Sequence, residues 1–564
     1  MKAVTKFSHP SHAYQGKFSL SSDLNRPELK VDAEIKPSLD FAQAMLALRE
    51  VVISNKISAK KDHSIYQKWV NNEYLKELEL SESFKSSETL IKEKKKHERE
   101  LDLLYREIEN NPLSLSENDF YKAKKKFWDW LYTNDSELWY VLDPVISVQP
   151  DAIIFEAFSR DESSYGRVTL PKNSLIKSKD YSIGTTNIDF SKDLADEFEK
   201  VRSYRPLKLK IGQDSVVTDS GLSQNIEKKI DLPQSWVNGF LEVQTASCLN
   251  KKNFNLTPDF VSDILAFLEQ NKKNVSPKAL KFILKNGELP KVQIEPWNKV
   301  LTEHNHIYKG PDFEVRLWGR ERLTVLKDIL QKSTNIEVSV LGDGMPSFWS
   351  CKVNDVTFDL CLSGWTSNDW SSQLKFALMT ANPKEIILDT SSINTQKVKQ
   401  LLKTKIKINV KDAAKKLELD EKQTLSSLQK LCSEGLAMYD IHTNEFRWRE
   451  LFNCGDKLVR KSQNKNLIKG LKIEDSDIKV NSDSNNYVPN FKREPRSKKT
   501  FTNNKIFQGV VQNAEVFIEV DSKNNLINSE CTCVEWKKTH KKFGPCKHII
   551  AVMNKHLWSK NESR

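Results

Sequence analysis

Cys531-Thr-Cys533 is followed, after twelve intervening residues, by Cys546-Lys-His548. No other feature of this chain constrains its fold as tightly. Three of its eight Cys fall within these 18 residues, while Cys248, Cys351, Cys361, Cys432 and Cys454 stand singly and read as small core residues. Residues i and i+2 of a strand point to one face, so Cys531 and Cys533 on a strand aim both thiols at one point. Phe517 to Asp521 alternates as a first strand, Ser522-Lys-Asn-Asn is a turn, and Leu526 to Cys533 is the return strand. Gly544-Pro545 then turns the chain, and Ile549, Ile550, Val552 and Met553 give a helix starting near Cys546, with His548 in its first turn. The expectation is a ββα unit with two ligands from the sheet and two from the helix start.

Three Cys and one His close a tetrahedral Zn²⁺ site with no position left for water, so the expected metal is one structural zinc held by Cys531, Cys533, Cys546 and His548. Three thiolates around Zn²⁺ leave a charge of about −1. Lys537, Lys538, Lys541, Lys542 and Lys547 lie close in sequence and can offset it. His540 and His556 are the spare ligands, and His540 would serve only along a different chain path.

Charge is unevenly placed. From Leu451 to Arg564 there are 22 Lys/Arg against 12 Asp/Glu, whereas the first 450 residues hold 66 against 64. A basic terminal module suggests an anionic partner, nucleic acid first, with Lys537, Lys538, Lys541 and Lys542 as its candidate contacts; the plainer reading is a solvated tail. No run of 18 apolar residues occurs, so no membrane span is expected, and the start of the chain lacks the apolar core of a secretory signal. So few cysteines do not make a disulfide scaffold, which points to the cytoplasm.

The fold class expected is α+β with several domains. Residues 1–137 read as mostly helical. Phe41, Met45, Leu48 and Val52 recur at helical spacing after Pro37 and a Ser38 cap, and residues 64–135 read as two or three amphipathic helices. Residues 138–395 read as a mixed α/β body: strands at Ala152–Phe158 and Gly166–Leu170, an alternating strand at Leu207–Ile211, helix over 258–284, and strands near 336–341, 348–353 and 356–362. Residues 396–452 read as three helices and a hairpin, the order of a winged helix. Its third helix, capped by Asp420 and ended by Gly435, would enter the major groove of DNA, or the unit is a packing module. That helix offers only Lys422 and Lys430. Residues 453–505 read as a polar, basic linker with one weak strand, and 506–564 as the zinc unit.

No GxxxxGK[ST], HExxH or GxSxG pattern is present. His304-Asn-His306 reads as a surface pair. Leu341-Gly-Asp-Gly-Met reads as a turn. Trp349, Trp365 and Trp370 beside Asp369 read as core packing. The expectation is a protein without catalytic activity.

The Cys-x-Cys-x(12)-Cys-x-His spacing and the Gly-Pro-Cys-Lys-His-Ile approach to a helix resemble the SWIM zinc finger. A looser resemblance to bacterial SWIM zinc finger proteins runs through Phe155-Glu-Ala-Phe-Ser-Arg-Asp, Gly184-Thr-Thr-Asn-Ile-Asp, Leu232-Pro-Gln-Ser-Trp-Val-Asn-Gly-Phe-Leu-Glu-Val-Gln, Arg316-Leu-Trp-Gly-Arg-Glu-Arg-Leu, Met345-Pro-Ser-Phe-Trp and Leu362-Ser-Gly-Trp-Thr-Ser-Asn-Asp-Trp. The Lys/Glu-rich stretch at 60–135 departs from that family. The resemblance implies zinc binding, a role in binding DNA or protein, and no catalysis. It also implies association with MoxR-type AAA ATPases and von Willebrand factor A proteins. Two functions therefore stand: a nucleic-acid-binding finger protein, and an adaptor beside an ATPase encoded elsewhere.

Overall fold

Apolar runs without alternation mark strands covered on both faces, and in the computed structural model they form the middle of an eight-stranded antiparallel sheet. The structure describes residues 13–14, 17–18, 29–54, 144–188, 190–212, 215–228, 232–271, 278–342, 344–364, 369–371, 376, 380, 392–451, 469–483, 505–520, 526–534, 536 and 546–558. The helices expected over 64–135 lie outside these residues.

The strands of the large sheet are β1 (Val145–Val148), β2 (Ala152–Phe158), β3 (Ser164–Pro171), β4 (Gly184–Asn187), β5 (Lys252–Leu256), β6 (Asn335–Val340), β7 (Ser347–Val353) and β8 (Val356–Leu362). They run in the spatial order β5-β6-β7-β8-β3-β2-β1-β4. A five-stranded sheet takes in Leu207–Ile211, and a four-stranded sheet takes in Ala279–Leu284. The helix expected over 258–284 therefore stops at Gln270, and the stretch from Ala279 is a strand: its β-branched and aromatic residues pair with Phe313–Trp318. The turn at Asn354-Asp355 joins β7 to β8, with Asn354 at φ 50°.

Helix α1 (Ser38–Ile53) lies on one face of the large sheet. Phe41 meets Phe155 at 5.5 Å between ring centroids, and a Cβ on Gly166 would sit 2.7 Å from Leu48 Cδ1, so only glycine lets this helix so close. Ser38 does not cap the helix: Pro37 occupies the N-cap position, and the Ser38 hydroxyl donates to the Arg205 carbonyl at 3.2 Å. Helix α2 (Gln234–Ser247) lies on the opposite face, where Phe240 meets Phe158 at 4.9 Å.

Residues 392–451 also pack on that second face, where Met438 meets Ala152 and Ile154. They comprise α3 (Ile393–Lys405), β9 (Lys407–Ile408), α4 (Val410–Leu417), α5 (Glu421–Ser433), β10 (Ala437–Asp440) and β11 (Glu445–Trp448). Asp420 Oδ2 accepts from the Lys422 and Gln423 amides, and Gly435 ends α5 at φ 72°. Helix α5 is buried nearly all round. Its Gln429 amide donates to the Cys248 carbonyl of the body at 3.5 Å, and Cys432 shares a buried core cluster with Cys248. Lys430 is 1% exposed and paired with Glu434, so of the two lysines on this helix only Lys422 faces solvent. The helix that would have entered a DNA groove is occupied by the body, and the unit packs through it.

The hairpin of the unit meets a polar row crossing the sheet. Glu156, Arg167, Asp359 and Ser350 stand directly opposite one another on β2, β3, β8 and β7. Arg449 pairs with Glu156, both fully buried, and Tyr165 donates to the same carboxylate at 2.5 Å. Arg167 Nε lies 3.1 Å from Asp359 Oδ2, and its Nη2 lies 3.5 Å from Asp440 Oδ1. Arg447 joins Asp440 at 2.8 Å to Asp151 at 2.5 Å, and His442 Nε2 reaches Asp359 Oδ1 at 3.0 Å. Three arginines and His442 thus face four carboxylates, and the charges balance when His442 is protonated.

Burial opposes charge on His442, but the Asp359 carboxylate outweighs it, so the imidazole titrates above its ordinary value near 6.5. A raised folded value means the His442 contribution is complete below about pH 6.5 and lost as pH rises through the folded value. The carboxylates carry the opposite sign. Burial raises Asp359 and Asp440, yet their arginine and histidine neighbours hold both low, so their contribution fades only on acidification. Between pH 5 and pH 9 the parent should lose thermal stability towards the alkaline side relative to His442→Gln. Parallel curves for the two proteins would remove His442 from the pairing.

Candidate metal centre

The C-terminal sheet has four antiparallel strands rather than two: β12 (Ile478–Asp483), β13 (Lys505–Val511), β14 (Ala514–Val520) and β15 (Leu526–Cys531), in that order. The stretch read as a linker supplies β12 and also Ile473 and Ile478, which join the core under the finger. Gly470 is fixed by this packing, since a Cβ there would lie 2.7 Å from both Ile550 and the Lys547 carbonyl. Helix α6 (Lys547–Met553) buries Ile549, Ile550, Val552 and Met553 against the sheet, and a single π-helical turn continues it to Trp558.

Four side chains converge where the last strand ends and α6 begins. Cys531 is the final residue of β15. Cys533 lies beyond the strand in a bend, so the expected same-strand pairing of the two thiols is replaced by a strand end and a turn. Strand pairing ends at Thr532, whose hydroxyl accepts from the Glu515 amide at 2.9 Å, and the chain folds back. Cys546 is the N-cap residue of α6, and His548 sits in its first turn. The three sulfurs and one imidazole nitrogen all lie within 4.8 Å of one another.

This arrangement fits zinc. A tetrahedron with metal–sulfur bonds of about 2.3 Å has ligand–ligand edges of about 3.8 Å. Cys531 Sγ and Cys546 Sγ lie 3.7 Å and 4.0 Å from His548 Nδ1. Cys531, Cys546 and His548 are buried at 3%, 2% and 6% exposure, so the site is shielded from water on the protein side. The Trp536 amide donates to Cys533 Sγ at 3.3 Å, and the Trp536 indole donates to Glu530 at 3.1 Å, a pair of contacts that orients the bend. Hydrogen bonding from the Cys531 thiol and burial together push the Cys546 thiol well above its usual range, and burial raises Cys533. Zinc binding must expel these protons, so affinity falls as pH falls. His540, Lys537, Lys538, Lys541 and Lys542 lie outside the described residues. His556 instead stacks on Phe507, ring centroids 5.4 Å apart, and is not part of the cluster.

The other candidates of the sequence are structural. Trp349 and Trp370 are buried, Trp370 donating to the Cys361 carbonyl at 3.3 Å; Trp365 lies outside the described residues. His304 pairs on the surface with Asp263 at 3.2 Å. The polar row under the hairpin had no sequence signal, because its members lie on four separate strands and only register aligns them. Among the described residues no helix is long and apolar enough to cross a membrane.

Residues 515–557 match the SWIM zinc finger family. This segment is a SWIM zinc finger, and its Cys₃His cluster holds one structural Zn²⁺. No curated protein matches the chain in sequence. Among solved structures, similarity is found to the PCNA2–PCNA3 complex of Sulfolobus tokodaii, at 10% identity and TM-score 0.30 over 40% of this chain and 90% of that chain. The proliferating cellular nuclear antigen of Entamoeba histolytica is similar at 10% identity and TM-score 0.30, over 39% and 89%. PCNA from Thermococcus kodakaraensis is similar at 14% identity and TM-score 0.29, over 43% and 96%. Likeness at this level carries no argument about function.

Proposed function

We propose that the SWIM finger is a non-catalytic module that binds nucleic acid, DNA first, by its phosphates. The observation that supports this reading is the placement of the closed zinc cluster. Trp536 and Cys546, both buried in the finger core, bracket a segment carrying Lys537, Lys538, Lys541 and Lys542. A Cys₃His zinc has no open coordination position, so its role is to hold the chain on either side of these lysines rather than to activate a ligand. The order of elements from α3 to β11 is that of a winged helix, but with α5 covered the unit is assigned to packing. Zinc-bound thiolates suit the reducing cytoplasm, which goes with this reading.

The test is a salt titration of duplex DNA binding by the full chain. Changing Lys537, Lys538, Lys541 and Lys542 together to Gln should weaken binding and flatten the dependence of log affinity on log salt. Each lost phosphate contact removes about 0.9 from the slope. Zinc content should not change. Equal binding by both proteins at every salt concentration would overturn the loop assignment. The second reading, an adaptor for a MoxR-type AAA ATPase or a von Willebrand factor A protein, would then lead. It draws on the near-neutral charge of the body.

A further inference from the structure

Docking of residues 392–451 through α5 and the β10–β11 hairpin leaves α3 and α4 as the solvent-facing side of the unit. Between Ile393 and Lys422 there are nine lysines against four acidic residues. Lys403 is paired with Glu450, and Lys407 with Asp151 and Glu445. Lys397, Lys405, Lys411, Lys415 and Lys416 are exposed, Lys399 is half-buried, and none of the six has a carboxylate partner among the described residues. Two of the four acids are engaged elsewhere: Asp412 accepts from the Asn409 amide side chain at 2.8 Å, and Asp420 caps α5. On α4 the apolar Ala413 and Ala414 point inward, which places Lys411, Lys415 and Lys416 together on the outer arc.

We propose that this outer face of α3 and α4 is a second phosphate-binding surface, which with the finger would let the chain grip one nucleic acid at two places. Its chemistry favours phosphate over a protein partner. Protein interfaces centre on aromatic and apolar anchors, whereas Ile393, at the edge, is the one exposed large apolar residue described between 393 and 422. Flexible ammonium groups without apolar anchors suit an evenly spaced anionic polymer, and releasing its counterions supplies the affinity. The proposal rests on the nucleic-acid reading above for its ligand, not on the finger loop for its location.

The experiment uses the full chain, a fluorescent duplex of about 30 base pairs, and salt from about 50 to 200 mM, the range over which phosphate contacts dominate. In the test variant Lys397, Lys399, Lys405, Lys411, Lys415 and Lys416 are all Gln. These side chains are largely exposed and unpaired, so the thermal midpoint should stay with the parent. Engagement of three or more of them should lower the slope of log affinity against log salt by about 2.7 or more. An unchanged slope, while the finger-loop variant lowers it, overturns this proposal and leaves the finger reading standing. A lowered slope here with no effect of the loop variant does the reverse. A parent that does not bind the duplex overturns both. Polyglutamate displacing the duplex at equal charge concentration would overturn the assignment to nucleic acid and place an acidic protein on this face.

Discussion

Cys546→Ser is expected to unfold the C-terminal module and leave the body folded. In a unit of this size metal binding and folding are one free energy, with apparent values of about 10–16 kcal/mol for structural zinc in finger peptides. The finger core does contain apolar residues from its strands and α6, but Cys531 and Cys546 belong to that core, so losing one ligand removes the metal that ties the end of β15 to the start of α6. Limited proteolysis of the variant should cut beyond about residue 469, where the packed segment containing Gly470 begins, and spare residues 144–451. The same pattern should follow a strong chelator on the parent and reverse when Zn²⁺ is restored. Cuts spread through the body would show that the finger is not an independent folding unit.

Arg449→Met carries the next largest effect, about 3–5 kcal/mol of destabilisation, because it strands a buried carboxylate. Glu156 and Arg449 are each 0% exposed, so the Glu156 carboxylate stays buried once its partner is gone. The penalty belongs to the unpaired charge rather than to the lost attraction, so adding Glu156→Gln should restore most of the stability. The glutamine carbonyl still accepts from Tyr165 and carries no charge. Denaturant unfolding of the parent, single and double variants measures this. A double variant as unstable as the single one would mean that the pair itself, not the stranded charge, stabilises the docked unit.

The parts of this molecule that were legible in the sequence are those fixed over short spans. Four ligands within 18 residues announced the zinc site, because few other chemistries need that spacing. The mainly apolar stretch Ala152–Phe158 announced a strand, and Leu207–Ile211 announced by alternation a strand covered on one side. Three details were set by contacts distant in sequence rather than by local pattern. Helix α5 carries Ser426, Ser427, Gln429 and Lys430, and their burial comes from distant partners: Gln429 donates to the Cys248 carbonyl and Thr395 of α3 donates to Ser427. One weak strand was expected within residues 453–505, but the bounds of β12 are set by pairing with β13, not by composition. The row Glu156–Arg167–Asp359 depends on strand register across three strands, which no local pattern specifies. Residues 1–137 were expected to be mostly helical; of those described, Ser38–Ile53 is helix α1, with Pro37 in the place assigned to a serine cap, but Val31–Ile35 is a strand of the five-stranded sheet.

The claim on which the rest depends is that Cys531, Cys533, Cys546 and His548 hold one zinc in a closed shell. X-ray absorption at the zinc edge on the purified full chain measures this directly. One zinc per chain is expected, with three sulfur neighbours at about 2.3 Å, one nitrogen at about 2.0–2.1 Å, and no oxygen. A protein without stoichiometric zinc, or a shell that includes water or fewer than three sulfurs, would contradict it.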